Sequence, residues 1–521
     1  MQACTAALHE PAGSMFNKSK YTDPNAKKPV VHREVRPVTV ARKPAQNGIS
    51  KPTAQRPAAP SDRFKLPQRA GAKASTSFPK KVEGQAKKLV RNLKRKSATP
   101  ELHFSSDEGS SSSSDGSGDG GSDAPTRKRL KSSVSSMESS GPSRNLVKEA
   151  AFGKEMVEVQ CLYGADATSG EQKAKFKNPW GAEQFETVEL QYPSNTARER
   201  FELKWPKNQK DDYKPMEDIS ETVKSICDFY LPPHAPQNHR SEEFDRRFKK
   251  AWRNESITDF IDVVNDFNTM LRSYIDDGSI RRQLATKRSL PLDTIKRILD
   301  QIYARTVSPK VETLRHYQNG SDNVYGELLD RFCSTIFNKT QLNASQVFLD
   351  IGSGVGNVVL QAALEVGCES WGIEMMPNPC DLGELQAAEF PSRTHLWGLD
   401  VGSVNLIRGD VTLNVEIREV LQRADVVLVN NQAFTPQLND SLMSIFLDLK
   451  DGCKVVSLKP FVPEGHKLSS RNHNNQANMF RQQRFEYFSG SVSWTNNSGA
   501  WYIATKDPSV LQGYVKQERE R

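Results

Sequence analysis

Asp350 is followed by glycines at alternate positions, Gly352, Gly354 and Gly356, in the run VFLDIGSGVGNVVL. An acid and three glycines at this spacing can seat a small ligand, because glycine lets the backbone approach closely and adopt left-handed conformations. The dinucleotide pattern G-x-G-x-x-G is not met, so a pyrophosphate is not the group expected here. Glu374 lies 24 residues beyond Asp350 and closes a second apolar run. A carboxylate there accepts from ribose hydroxyls in nucleotide-type folds. Asp410 followed by Val411 suits an adenine amino group and ring, although such an Asp is also a common turn residue. Asn430 and Phe434 bound the segment NNQAF, which either receives a nucleophilic nitrogen or is a loop of turn formers. Trp494, Trp501 and Tyr502 lie downstream. Aromatics spaced like these are ordinarily core, and can also cage an alkylammonium.

The elements that must position these residues follow from apolar periodicity. Val347–Leu349, the turn and a helix-like continuation read as the first strand–turn–helix unit of a doubly wound sheet, with ligands at the carboxyl ends of the strands. Ser370–Glu374, Asp425–Asn430 and Lys454–Leu458 read as further strands, and a third apolar segment precedes Asp410. Helices are expected near Asp381–Glu389 and over SLMSIFLDLK. Phe485–Thr495 and Ala500–Thr505 read as a final antiparallel hairpin. Upstream, Ser256–Ile275 and Leu292–Thr306 carry apolar residues at helical spacing, after a stretch of short strand-like pieces.

Charge separates the ends of the chain. Residues 1–145 hold 27 Lys and Arg against 12 Asp and Glu, a surplus of +15 that leaves −6 for the rest of a chain whose net charge is +9. This segment is rich in Pro and Ser and lacks an apolar period, so it reads as a disordered basic arm. Two clusters concentrate its charge: Lys87, Lys88, Arg91, Lys94, Arg95 and Lys96, then Arg127, Lys128, Arg129 and Lys131. They are candidates for nuclear import and DNA-phosphate contact. Between them the Ser105–Asp123 tract is acidic and offers phosphorylation sites. The expected organisation is an arm over 1–145, a mixed, mainly helical subdomain over 146–306, a core over 307–506 and a tail over 507–521. Seven scattered cysteines form no CxxC pair, which argues against a zinc module or a disulfide scaffold and for reduced thiols. No run of about 18 apolar residues suggests a membrane span.

The acid–glycine turn resembles motif I of class I S-adenosylmethionine-dependent methyltransferases. Taken in order, VYGELL (Val324–Leu329), DIGSGVGN, GIE, GDV, VNNQAF, SLKPF and SVSWT closely resemble the disruptor-of-telomeric-silencing family of non-SET histone H3 core-lysine methyltransferases. The resemblance spans roughly Val147–Thr505 and implies an α/β fold with a Rossmann-like seven-stranded sheet. It implies S-adenosylmethionine as cofactor and no metal. The implied partners are a nucleosome, including histone H3, the other core histones and DNA, and the implied state is a nuclear monomer acting in silencing and checkpoint control. It also implies roles. Tyr325, Gly326, Glu327 and Leu328 would cover the cofactor. Phe348, Leu349, Asp350, Ile351, Gly352, Ser353, Gly354, Val355, Gly356 and Asn357 would form the cofactor turn. Glu374 would take the ribose, and Asp410 with Val411 the adenine. Asn430 and Phe434 would border a lysine channel with Trp494, Trp501 and Tyr502 near its mouth. The family more often has Phe at Val411 and Tyr at Trp501. A base methyltransferase of the same fold and a non-catalytic chromatin scaffold are the competing readings.

Overall fold

The computed structural model describes residues 144–208, 213–315 and 326–520. Both basic clusters, the Ser-Asp tract and Tyr325 lie outside the described residues.

Residues Val347–Ile351 form β1 and every one of them is buried; the same holds for Val426–Val429, β4. Strands this uniformly apolar need cover on both faces, the condition of a parallel sheet clad in helices. Between them in sequence come β2 (Glu369–Glu374) and β3 (Val404–Arg408); β5 (Lys454–Ser457), β6 (Phe480–Tyr487) and β7 (Gly499–Lys506) follow. The sheet has seven strands in the order β6-β7-β5-β4-β1-β2-β3. β1 to β5 run parallel, and β7 pairs antiparallel with both β5 and β6. Strand order reverses between β1 and β4, where a crevice opens at the carboxyl ends of a doubly wound sheet. Side chains alternate as a pleated strand requires: Val347, Leu349 and Ile351 enter one core, and Phe348 enters the core on the other face.

The expected hairpin forms, with its first strand five residues earlier than the periodicity suggests, at Phe480–Tyr487 rather than from Phe485. Residues 488–498 form the connection, because Ser491–Ser493 pair elsewhere, with the segment carrying Glu327 and Leu328. The helix expected near Asp381–Glu389 extends over Pro377–Leu396, which is α8 in chain order, after α6 (Asp330–Thr340) and α7 (Asn357–Gln361). The segment read as a C-terminal tail contains a helix, Ser509–Glu520.

Upstream, α1 (Pro215–Tyr230), α2 (Ser241–Arg253), α3 (Ile257–Asp276), α4 (Ser279–Ala285) and α5 (Leu292–Thr306) precede the sheet. Ser256 caps α3 by accepting from the Asp259 amide at 3.1 Å. The core of these helices is continuous with Leu360, Phe390 and Trp397 of the sheet's own helical layer. Ions join there too. Arg305 of α5 and Arg393 of α8 both contact Glu199, at 2.7 Å each, with all three side chains fully buried. The helical region and α8 are therefore packed as one body. Among the described residues no helix is long and apolar enough to cross a membrane.

Candidate active site

A cavity of about 670 Å³ lies at the carboxyl ends of the strands, and its floor is the glycine turn. Gly352, Gly354 and Gly356 have φ of +78°, +57° and +90°, a region that side chains rarely adopt. The amide of Gly354 donates to Glu374 Oε2 at 3.0 Å, and those of Met375 and Met376 donate to Oε1 at 2.8 Å. The end of β2 is thereby tied to the turn after β1, and the carboxylate is fixed in orientation at the cavity wall. Asp410 Oδ1 accepts from the amide and hydroxyl of Thr412, closing a small turn that sets Val411 into the wall.

Asp350 sits beneath the turn, 4 % exposed. Burial pushes its carboxyl up, and the nearby charge of Glu374 adds to this, bringing it to about 8. Among the described residues no cation offsets these two effects. An incoming cation would.

A strap closes the cavity from above. Gly326, Glu327 and Leu328 line it and are held on three sides. Leu328 bridges to Val492, and Glu327 exchanges backbone and side-chain hydrogen bonds with Ser493. Asn430 Nδ2 donates to the Gly326 carbonyl at 3.0 Å. A Cβ on Gly326 would come within 2.8 Å of the Trp494 ring, so only glycine allows the strap to lie this close.

Asn430 and Asn431 have opposite situations. Asn431 is fully buried and its amide is committed to structure: Nδ2 donates to Asn439 and Lys459, and Oδ1 accepts from the amides of Leu458 and Lys459. Asn430 lines the cavity, and its Oδ1 is buried without a hydrogen-bond partner. Buried acceptors are seldom left so, and this one is available to a ligand.

The sequence-derived site is thus largely brought together. Gly326 to Leu328, Asp350 to Val355, Asn357, Glu374, Asp410, Val411, Asn430 and Phe434 all line the cavity. Some residues do not. Phe348 and Leu349 are fully buried in the two cores, since they belong to the strand that carries the turn. Gly356 backs the turn against Leu406. Trp501 is core rather than channel mouth: it is 1 % exposed, stacked on Phe485 at 4.8 Å and edge-on to Phe332 at 5.5 Å. Its neighbour Tyr502 necessarily faces the other side of the sheet and donates to Glu464 at 3.1 Å. Sequence reasoning missed Met375 and Met376 just after β2, Asn378 in the first turn of α8, Thr313 and Leu314 from upstream, and Leu438 and Leu442. The last two occur at i, i+4 on a helix, a signal indistinguishable from ordinary core.

Strand order, the acid–glycine turn and the crevice define a class I methyltransferase fold. The family described as Histone methylation protein DOT1 matches residues 303–506. A protein of Aspergillus fumigatus, "Histone-lysine N-methyltransferase, H3 lysine-79 specific", is 43 % identical over 92 % of this chain and 95 % of its own length. One of the same name from Emericella nidulans is 48 % identical over 70 % of this chain and 74 % of its own. A solved O-methyltransferase of Bacillus cereus aligns at 11 % identity over 40 % of this chain and 90 % of its own, with a TM-score of 0.25. The chain belongs to the DOT1 family of histone-lysine methyltransferases.

Proposed function

We propose that this protein transfers methyl groups from S-adenosylmethionine to the side-chain amine of lysine-79 of histone H3 in nucleosomes. The observation that carries the reading is Asn430: an acceptor oxygen buried at the cavity wall, unpartnered, on a side chain already anchored to the strap. When bound, the cofactor supplies a methyl group on a cationic sulfur. Asp350 provides negative charge beneath the turn for a cationic ligand, Glu374 presents a pre-oriented carboxylate to the ribose hydroxyls, and Asp410 with Val411 receives the adenine. Gly326, Glu327 and Leu328 exclude water from above. The amine must arrive neutral, and entry into this apolar surround disfavours its charged form. Asn430 Oδ1 then accepts from it and aligns it, with Phe434 beside the glycine turn restricting its approach. Methyl transfer would pass the positive charge from the cofactor's sulfur to the lysine nitrogen, dispersing it on the way, which a water-poor site favours. Because the amine has already given its proton to solvent, no dedicated base is required.

The basic arm serves the same reading. Residues 1–143 carry 26 Lys and Arg against 12 Asp and Glu, since Arg144 is held by the Glu365 and Asp400 carbonyls, and this surplus of +14 suits contact with nucleosomal DNA in the nucleus, a contact that weakens steeply with salt. Radiolabelled methyl transfer to nucleosomes, free histones and naked DNA, with mass spectrometry of the modified peptide, tests the proposal. Labelling of H3 within nucleosomes is the expected result. Labelling of DNA alone would replace it with base methylation, and no labelling would leave a scaffold. Removing residues 1–143 should lower nucleosome affinity and flatten its dependence on log salt; an unchanged slope would move the DNA contacts to the folded region.

A further inference from the structure

Gln386 lies on the third turn of α8 behind the glycine turn, 1 % exposed and outside the cavity. Its Nε2 donates to the Val355 carbonyl at 2.7 Å and to Asn357 Oδ1 at 2.9 Å. Asn357 Nδ2 in turn donates to Glu327 Oε1 at 3.0 Å. The chain of donors has one possible direction. A backbone carbonyl can only accept, so Val355 fixes which end of the Gln386 amide faces the turn. That NH₂ group then requires the oxygen of Asn357, and the Asn357 NH₂ is left to face the Glu327 carboxylate. Orientation set by a backbone atom of the turn thus reaches the strap across two side chains.

We propose that Gln386 is a positioning residue for the strap: through Asn357 it holds Glu327 closed over the cofactor cavity, and so sets how long the cofactor stays. The proposal rests on the cofactor reading of the cavity given above. Gln386 touches neither ligand nor reacting atoms. The opposite side of the strap is held independently by Asn430 and Ser493. Losing Gln386 frees one edge of the strap, which should speed cofactor release while leaving the amine end of the site aligned.

The test uses the full chain with Gln386→Met, which keeps the length and apolar stem and removes the donors. S-adenosylhomocysteine affinity by calorimetric titration and KM for S-adenosylmethionine should each weaken about tenfold, the worth of one buried hydrogen bond. At saturating cofactor, kcat on nucleosomes should stay within about twofold, while the melting temperature of the unliganded protein should fall by a few degrees, because the Val355 carbonyl and Asn357 Oδ1 lose their donor. Combining Gln386→Met with Glu327→Ala separates a relay from a local packing effect. In a relay the double variant binds S-adenosylhomocysteine no more weakly than Glu327→Ala alone. Losses that multiply would overturn it, as would unchanged affinity in Gln386→Met or a fall confined to kcat. Should Gln386→Met fail to fold, Asn357→Asp serves: it still accepts from Gln386 and can no longer donate to Glu327. Unchanged affinity there also overturns the relay. If the unmodified protein binds no S-adenosylhomocysteine, the cofactor reading fails first and takes this proposal with it.

Discussion

Two regions of this protein bury carboxylates and treat them in opposite ways. At the junction of the upstream helices with α8, Glu199 is fully buried and both its oxygens are occupied. Oε1 accepts from Arg305 and the Gly164 amide, and Oε2 from Arg393 and the Tyr192 hydroxyl. Asp218 accepts from Arg305, Tyr213 and Gln301. Burial alone would raise both groups, yet Arg305 with Arg393 around Glu199, and Arg305 with Arg297 around Asp218, more than offset it and hold both below the ordinary range. In the cavity Asp350 is equally buried, and its charged neighbour is another carboxylate, Glu374. Burial and that neighbour act in the same direction, and the group rises to about 8. The junction supplies its own counter-ions and so is rigid without a ligand. The cavity leaves a carboxyl without a counter-ion and the Asn430 oxygen unmet, and a ligand completes it.

The sharpest way to break the comparison is at the turn. Gly354→Arg forces a side chain onto a φ of +57° at the cavity floor and should abolish binding of S-adenosylhomocysteine in calorimetric titration. Normal affinity in a folded variant would remove the turn from the binding site. Next in size is the junction. Arg393→Ala leaves Glu199 with one guanidinium fewer, and breaking a buried ion pair costs about 3–5 kcal/mol. Denaturant unfolding should show this loss, whereas cofactor affinity of the folded protein should hardly change. A variant that keeps its stability would mean the network is dispensable.

Asn430→Ala tests the unpaired oxygen. Turnover should drop about 100-fold through misplacement of the amine. S-adenosylhomocysteine affinity should fall only by the roughly 1 kcal/mol of the lost strap hydrogen bond. Equal losses in both would place Asn430 with the cofactor alone. The smallest effect is in pH. A carboxyl at about 8 in the folded state and near 4 when unfolded binds its proton preferentially when folded. Stability of the unliganded protein should therefore decline as pH rises between about 4 and 8, by at most about 1.4 kcal/mol per unit, and level off above. Asp350→Asn should flatten that decline. Binding of cationic S-adenosylmethionine needs the carboxylate, so its affinity should rise with pH towards 8 and release a proton below it. A pH-independent affinity would argue that Asp350 is charged before binding.

The strand carrying the turn, the turn itself, Glu374 and the Asp410–Val411 pair are legible in the chain because each depends on a few neighbouring residues. Positive φ demands glycine wherever it occurs, and a strand buried on both faces demands an unbroken apolar run. Ser256 and the apolar spacing behind it likewise place α3 within a residue. Which residues meet is another matter. Trp501 and Tyr502 are adjacent and both aromatic, and only the register of β7 against β5 and β6 sends one into the core and the other to Glu464. Trp494 reads as part of a strand until Val492 and Ser493 are seen to pair with a strap some 165 residues earlier. Gln386 is one glutamine among many on a helix, and its role exists only because α8 packs it behind Val355. The chain by itself settled local backbone demands, since those are short-range. Contacts between distant segments depend on the packing of whole elements, and that was decided only in the folded structure.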